Sequence, residues 1–435
     1  MMRRFFDKLE TWPAYVSYAL LAYMPFHILL AQSLSLVTGG FSVWKIGKDI
    51  ITFFLAVLTV LLVFYKRKQN KAFTILISLA ALYSFVYAIV WAINSDIYVR
   101  TALLGTAYNL RIVAYVVIGF GAVLLAPNSI TNQRIVKLLL VVASIVAFLG
   151  ILQYFLPKDI LTHIGYSTAR GVKPNFFIDD KPDLPRIMST LRDPNSLAAY
   201  LILPLCLAIG LFFKHKSRKM LFAGIATLLG LALFLTFSRG GLLGAFVAIA
   251  ALFVIQFRDW LKSHAKQVAV VGLIIILGFG SVGYLHRDQY VIQNIILHSD
   301  ESTKATEDSN ELHARLARDG ARAVAGNPLG HGPGTAGIVS IQNPQGGVLT
   351  ENYYIQIGYE VGIIGLVAFL AIWGYVIQLL SKQRSLLASC LLASAVAYAV
   401  LCLIMHLWTN EAIAATWWIT AGLVIGQKPR ANHKS

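Results

Sequence analysis

Three arginines, Arg315, Arg318 and Arg322, precede a glycine-rich run, Gly326-Asn-Pro-Leu-Gly-His-Gly-Pro-Gly334, and Thr350-Glu351-Asn352 follows shortly after. All lie in the polar stretch Asp288–Glu351, between two long apolar runs. A guanidinium stays charged and binds phosphate oxygens through two parallel N–H donors. Glycines let backbone approach a ligand closely and turn tightly. Glu351 sits where a span would begin. It can take a proton from a hydroxyl at the membrane border, or it can serve the free N–H groups of the helix start. Asn352 beside it can orient a sugar or the base. His331 and His313 are either base and donor groups or ordinary polar loop histidines. Glu360 and Glu411 are weaker acid candidates. The glycine run is not a phosphate loop of the Walker type, since no Gly-Lys-Ser/Thr follows it.

A second set of arginines lies outside this stretch. Arg186 and Arg192 belong to Pro185-Arg-Ile-Met-Ser-Thr-Leu-Arg-Asp-Pro-Asn195, and Arg239 to Thr236-Phe-Ser-Arg-Gly-Gly241. Each is open to a plain reading as a solvated or headgroup-facing charge. Arg239 fits that reading least, because its neighbours are nearly all apolar and an arginine at a span boundary needs a partner or an aqueous cavity. Several such arginines converging on one membrane face would suit a lipid diphosphate. The histidines and carboxylates have no metal-ligand spacing, and no GxSxG occurs.

The elements that must position these groups are membrane helices. The 435 residues are 57% hydrophobic and only 13% charged, and apolar runs of about 18–25 residues recur along the chain, each able to cross a bilayer. The runs are continuous rather than alternating, which excludes a β-barrel. About twelve spans are expected, near 13–37, 48–65, 72–93, 110–126, 135–156, 196–213, 220–237, 240–257, 267–285, 352–380, 385–406 and 411–426. The fold class is therefore an all-α polytopic bundle, a single membrane domain over 1–435. The net charge of +17 belongs to cytoplasmic loops rather than to a nucleic-acid surface. Basic clusters fall at alternate ends of successive spans, which puts both termini in the cytoplasm and leaves loops 157–194 and 286–351, the Ser238–Gly240 link and Thr409-Asn410-Glu411 on the other side.

Loop 157–194 carries five prolines and is expected to be irregular. Ser309–Ala325 is expected to be an amphipathic helix with the three arginines on one face, capped by Ser309 or Asn310. Cys206, Cys390 and Cys402 lie within apolar runs and point to neither a disulfide framework nor a metal site. The first apolar run is too long for a signal peptide and reads as a retained span.

With the motifs in this order, the chain resembles the O-antigen ligase and O-antigen polymerase family. The resemblance rests on Arg186…Pro194-Asn195 before a span, Ser238-Arg239-Gly240, and Arg315…Pro328-Leu-Gly-His-Gly-Pro-Gly334 followed by Asn352 at a span start. It covers most of residues 170–380. It implies transfer of a glycan from an undecaprenyl-diphosphate donor to a glycan or glycolipid hydroxyl, in the bacterial inner membrane and on its extracytoplasmic face. The displacement it implies is metal-independent and inverting, with no cofactor. The outer arginines it implies as holding the diphosphate are Arg239 and Arg315, with Arg186 as a further match. Together with Glu351, the candidate base, Arg239 and Arg315 make the expected catalytic set. Arg186, Arg192, Asn195, Ser238, His331, Gly332, Gly334 and Asn352 would contact substrate. Ligases of the family usually carry His-Asn where this chain has Glu351-Asn352, so His331 and His313 stay open as alternative bases. A transporter or flippase of lipid-linked glycan is the reading from another class. It predicts broken helices and ionisable residues near mid-span, whereas the apolar runs read as almost free of charge.

Overall fold

The computed structural model describes residues 9–68, 70–178, 181–258, 263–264, 309–341 and 343–428. Among them, eight helices are long and apolar enough to cross a membrane, and three shorter apolar helices join them. The chain is a polytopic all-α membrane protein. The expected span 267–285 lies outside the described residues.

The first span is two helices, α1 (Trp12–Tyr23) and α2 (His27–Thr38), joined through a 3₁₀ turn at Met24–Phe26. Pro25 lies in that turn and cannot donate to a continuous helix. The bundle continues with α3 (Phe41–Tyr65), α4 (Lys71–Ile93), α5 (Val99–Leu125) and α6 (Asn132–Phe155). Next come the one-turn α7 (Ile160–His163), strands β1 (Phe176–Ile178) and β2 (Lys181–Arg186), then α8 (Pro194–Lys214), α9 (Lys219–Leu235) and α10 (Arg239–Gln256). The remaining helices are α11 (Ser309–Gly326), α12 (Gly337–Ser340), α13 (Tyr353–Ser381), α14 (Leu386–Leu401) and α15 (Glu411–Ile425).

Three sequence expectations need correction. The proline-bearing loop 157–194 is not wholly irregular, since β1 and β2 pair antiparallel there. Ser309 and Asn310 are the first two residues of α11 rather than caps preceding it. The span expected at 110–126 begins at Val99, eleven residues earlier than its apolar run. Asn109 falls outside the expected span, but it is fully buried and bonded to Glu360, and Arg111 two residues on is buried and paired too, so the helix carries both inward.

The core is built around α5, α8 and α15. The apolar windows of α5 and α8 are each 83% buried, against 28% for peripheral α10. Helices α5 and α15 touch backbone to backbone. A Cβ on Gly119 would lie 3.0 Å from Leu423 N, the close approach that small residues permit in membrane bundles. Trp408, Trp417 and Trp418 pack with ring centroids 5.0–5.5 Å apart, and all three are fully buried. This cluster anchors the turn between α14 and α15.

The helices sort their connections to two ends. At one end Gln427 reaches both Asn132 and Gln383, and the basic turns at Lys66, Arg134 and Arg384 lie at this end. At the other, Gln153 receives the N–H groups of Met188 and Ser189, Thr190 donates to Pro25 O, and Gln345 donates to Asp96 O. The candidate site residues Arg186, Arg239, Glu351 and Asn352 sit at this second end.

Candidate functional site

The centre of the second end is the turn Cys402–Asn410 between α14 and α15. Tyr353 N donates to Cys402 O at 2.8 Å, and Asn352 Nδ2 donates to Leu403 O at 3.0 Å. The start of α13 is thereby tied to this turn. Asn352 Oδ1 also accepts from Ile355 N at 3.0 Å. Asn352, not Glu351, is therefore the N-cap, and its buried amide is largely committed to structure. Glu351 precedes it with φ +50°, a left-handed conformation uncommon for a non-glycine residue. That conformation turns the chain between Thr350 and the capped helix.

From the other side, α10 meets the same turn. A Cβ on Gly240 would lie 2.9 Å from Ile404 Cδ1, so the start of α10, with half-buried Arg239, lies beside Ile404. Ser238 N-caps α10 by accepting from Gly241 N at 3.1 Å and is 2% exposed. Phe237 before it has φ +47°. Next door, Arg186 Nε donates to Thr236 O at 2.9 Å and its Nη2 to Asn195 Oδ1 at 2.9 Å. The structure thus groups Arg186, Asn195, Ser238 and Arg239 at one corner.

His406 is the residue that motif reading missed. Both its ring nitrogens are buried without a hydrogen-bond partner. Burial pushes its pKa down to about 4; the nearby Glu351 carboxylate opposes that shift and Arg192 adds to it. His406 is therefore neutral at ordinary pH, with Glu351 and Arg192 as its charged neighbours. No motif flags it, since His406 stands in an otherwise apolar segment.

The glycine run docks on a break in α13. Val361 and Gly362 leave helical geometry, with Gly362 at φ 71° and ψ −178°. Such backbone is essentially restricted to glycine. The break frees two carbonyls and one amide, and the run takes them all. His331 N donates to Tyr359 O at 2.8 Å, Gly332 N to Glu360 O at 2.9 Å, and Ile363 N to Pro328 O at 3.0 Å. Irregular backbone at membrane depth requires such replacement bonds. The ring of His331 stacks on Tyr359 with centroids 4.0 Å apart. Gly334 lies against the Thr101 and Gly105 backbone of α5, and Gly332 against Ile97. The run is a built wall of the site rather than a free loop.

Helix α11 packs along the start of α13. A Cβ on Gly320 would meet Ile355 Cγ2 at 2.7 Å and Thr350 Cγ2 at 3.1 Å. Arg315, Arg318 and Arg322 are exposed on the opposite side, as the amphipathic pattern requires. Arg315 is therefore on the element adjoining Glu351, and His313 lies on the same helix.

Beneath the turn is a buried charge network that hydropathy reading passed over. Arg111 is fully buried, with Nη1 at 3.8 Å from Asp49 and 3.7 Å from Glu411. It also donates to Thr409 O. Lys48 lies 2.8 Å from Asp49, and Tyr108 lies under the guanidinium at 4.6 Å. Glu411 is thereby used as a structural counter-ion. The only advance signal was charged residues standing inside apolar runs. The helices are not almost free of charge as the apolar runs implied, and α13 is broken. Both features are accounted for by local partners at this end of the bundle. The three cysteines are buried and unpaired.

The comparisons with known proteins bear on the same region. Residues 224–370 match the family model described as O-antigen ligase. An O-antigen polymerase of Salmonella muenchen is 23% identical over 242 residues. That alignment covers 55% of this chain and 59% of the relative, so the chain spans less than two thirds of that protein's length. The recognised likeness is to the O-antigen ligase and polymerase family. The matched segment begins in α9 and ends in α13, and so takes in Arg239, Arg315, the glycine run, Glu351 and the helix break.

Proposed function

We propose that the chain is a membrane glycosyltransferase of the O-antigen ligase and polymerase type, acting in cell-surface polysaccharide assembly. It moves a glycan from a polyprenyl-diphosphate donor to an acceptor hydroxyl, on the extracytoplasmic face of the bacterial inner membrane. The observation that carries this reading is the convergence on the Cys402–Asn410 turn. Glu351 and His406 are brought there from α13 and the turn, Arg239 from α10, and Arg192 from the segment before α8.

In this mechanism the acceptor hydroxyl lies beside Glu351. Its oxygen attacks the anomeric carbon and gives its proton to the Glu351 carboxylate. The bond from the anomeric carbon to the phosphate oxygen breaks, and the electron pair leaves on the diphosphate. Arg239, assisted by Arg186 and Arg192, stabilises that charge, and Arg315 meets the diphosphate from the exposed face of α11. Attack from the face opposite the leaving group inverts the anomeric centre, and no step calls for a metal. His331, Gly332 and Gly334 form the wall against which the sugar rests. Asn195, Ser238 and Asn352 keep the arginine corner and the start of α13 in register. Membership of a polymerase rather than a ligase changes only the acceptor, from a lipid-core sugar to another glycan. Both termini then lie in the cytoplasm.

The test is transfer by purified protein from a polyprenyl-diphosphate glycan, with EDTA present. Glu351→Gln is expected to abolish turnover. Arg239→Ala and Arg315→Ala are each expected to cost on the order of 10²–10³ in rate. Wild-type rates in both arginine variants would overturn the assignment of the leaving-group site. Ladders formed from a single lipid-linked substrate would identify a polymerase, and a requirement for a second acceptor a ligase.

A further inference from the structure

The Glu360 side chain is fully buried where α5, α13 and the glycine run meet. Its Oε2 accepts from Asn109 Nδ2 at 2.8 Å and its Oε1 from Gln356 Nε2 at 3.2 Å. The backbone N–H groups of Gly334 and Ala336 also face the carboxylate. Its main-chain carbonyl receives Gly332 N at 2.9 Å. One residue thus gathers donors from three consecutive parts of the loop and from two helices. Asn109 is itself aimed by Tyr353, whose hydroxyl donates to Asn109 Oδ1 at 3.0 Å, and by its own bond to Gly105 O at 3.1 Å.

The bonds to this side chain are one-sided. Asn109, Gln356, Gly334 and Ala336 each offer a hydrogen to the carboxyl oxygens, which accept from all four. We infer that Glu360 is a positioning residue, which fixes the Gly332–Ala336 backbone against α5 and so sets the wall of the transfer site. Glu360 reaches the loop from the last turn before the Val361–Gly362 break. The break turns α13 aside and gives the loop the space that a continued helix would fill. The inference rests on the glycosyltransferase reading for its effect on rate, but not for its effect on the loop.

The experiment compares Glu360→Ala and Glu360→Gln in the full-length protein, with turnover and amide hydrogen exchange as separate readouts. Glu360→Ala removes both side-chain acceptors and leaves only the main-chain carbonyl that holds Gly332 N. It is expected to lower kcat by about 10–100-fold with little change in KM, and to speed exchange in a peptide spanning Gly332–Ala336. Glu360→Gln keeps one acceptor oxygen, and Gln356 can turn its free oxygen toward the new amide. It is expected to recover most of the rate and of the protection. A folded Glu360→Gln protein as inactive as Glu360→Ala would overturn the inference and give Glu360 a proton-carrying role. Wild-type exchange at Gly334 and Ala336 in Glu360→Ala would overturn it as well. If Glu360→Ala does not fold, Asn109→Ala takes its place. It leaves the carboxylate but loosens it, and faster exchange in the same peptide is expected, with wild-type exchange counting against the inference. Loss of the exchange effect defeats the positioning role. Absence of transfer in the wild type, with the exchange effect intact, defeats only the transferase reading.

Discussion

Gly330→Ala isolates the docking of the glycine run on the α13 break. Gly330 has φ +96°, and a Cβ there would lie 2.7 Å from Gly362 N, 2.8 Å from Glu360 O and 2.9 Å from Val361 C. All three are backbone atoms of the break, so no side chain can rotate away. The shortfall from ordinary contact is roughly 0.7 Å, which the loop must absorb by lifting off α13. Overpacking costs about 1–3 kcal/mol, and an alanine in this backbone region costs about the same again. The loop is held there by three main-chain bonds of 2.8–3.0 Å, each contributing roughly 1 kcal/mol net. The strain is comparable to what holds the loop, so the loop shifts rather than the helix. A displacement approaching 1 Å in a positioning element costs up to about 10²-fold in rate. The expected result is a 10–100-fold fall in glycan transfer with the bundle still folded. The control is Gly326→Ala at the end of α11, where a Cβ meets nothing within 4 Å. That change is expected to leave transfer unaltered. Equal activity in the two variants would refute the claim that the run is a fitted wall.

Four further outcomes follow from the geometry. Arg111→Ala leaves Asp49 and Glu411 buried without their shared cation and is expected to cost about 3–5 kcal/mol, read as lost thermal stability in detergent. Asn352→Ala removes both the α13 cap and the bond to Leu403 O, for roughly 1–2 kcal/mol and a looser site. The third concerns pH. The folded state depresses His406 to about 4, below its ordinary value near 6.5, so the unfolded chain binds the extra proton first as pH falls. Stability from this residue is whole above pH ~6.5 and lost progressively down to pH ~4, roughly 3 kcal/mol at the limit. A His406→Phe variant, still flanked by Glu351 and Arg192, is expected to unfold less steeply across that window, as a pH series of thermal melts would record. The same variant is expected to transfer glycan more slowly if His406 shares the proton with Glu351, and a full-rate enzyme would confine His406 to structure.

The spans were legible because hydropathy records how a helix meets lipid. The charge pattern foretold that the turns at Lys66, Arg134 and Arg384 share an end, since each stands at the same end of its helix pair. The amphipathic reading of α11 held because its arginines and its packed face alternate at helical spacing, with Gly320 and Val324 toward α13. What escaped was whatever depends on a partner distant in sequence. Hydropathy starts the helix carrying Arg111 only at residue 110, yet it runs from Val99 and buries Arg111 because Asp49 and Glu411 arrive from α3 and α15. Gly362 stands in an apolar run and carries no local signal of its own. Its break becomes affordable only when Pro328 and Gly332 supply the missing bonds. His406 carried no local signal, because its neighbours Glu351 and Arg192 come from separate stretches.

The two buried polar clusters explain why the Cys402–Asn410 turn can serve as a platform. A turn between two short apolar helices would ordinarily be mobile, since its backbone has few internal bonds. Here Arg111 fastens one end of it through Thr409 O and Glu411, while Asn352 and Tyr353 fasten the other through Leu403 and Cys402. Glu360 acts on the facing wall, binding the glycine run to α5 through Asn109. Helix α13 takes part in both fastenings, with its capped start on the turn and its break under the loop. A perturbation at the break therefore reaches the Glu351 side of the site along a single helix less than three turns long. Gly330→Ala lifts the loop off α13 and Asn352→Ala loosens the start of α13, so both alter the fit between the same loop and the same helix. Their effects on rate are expected to be non-additive, whereas Arg111→Ala, acting through α5 and α15, combines additively with Gly330→Ala.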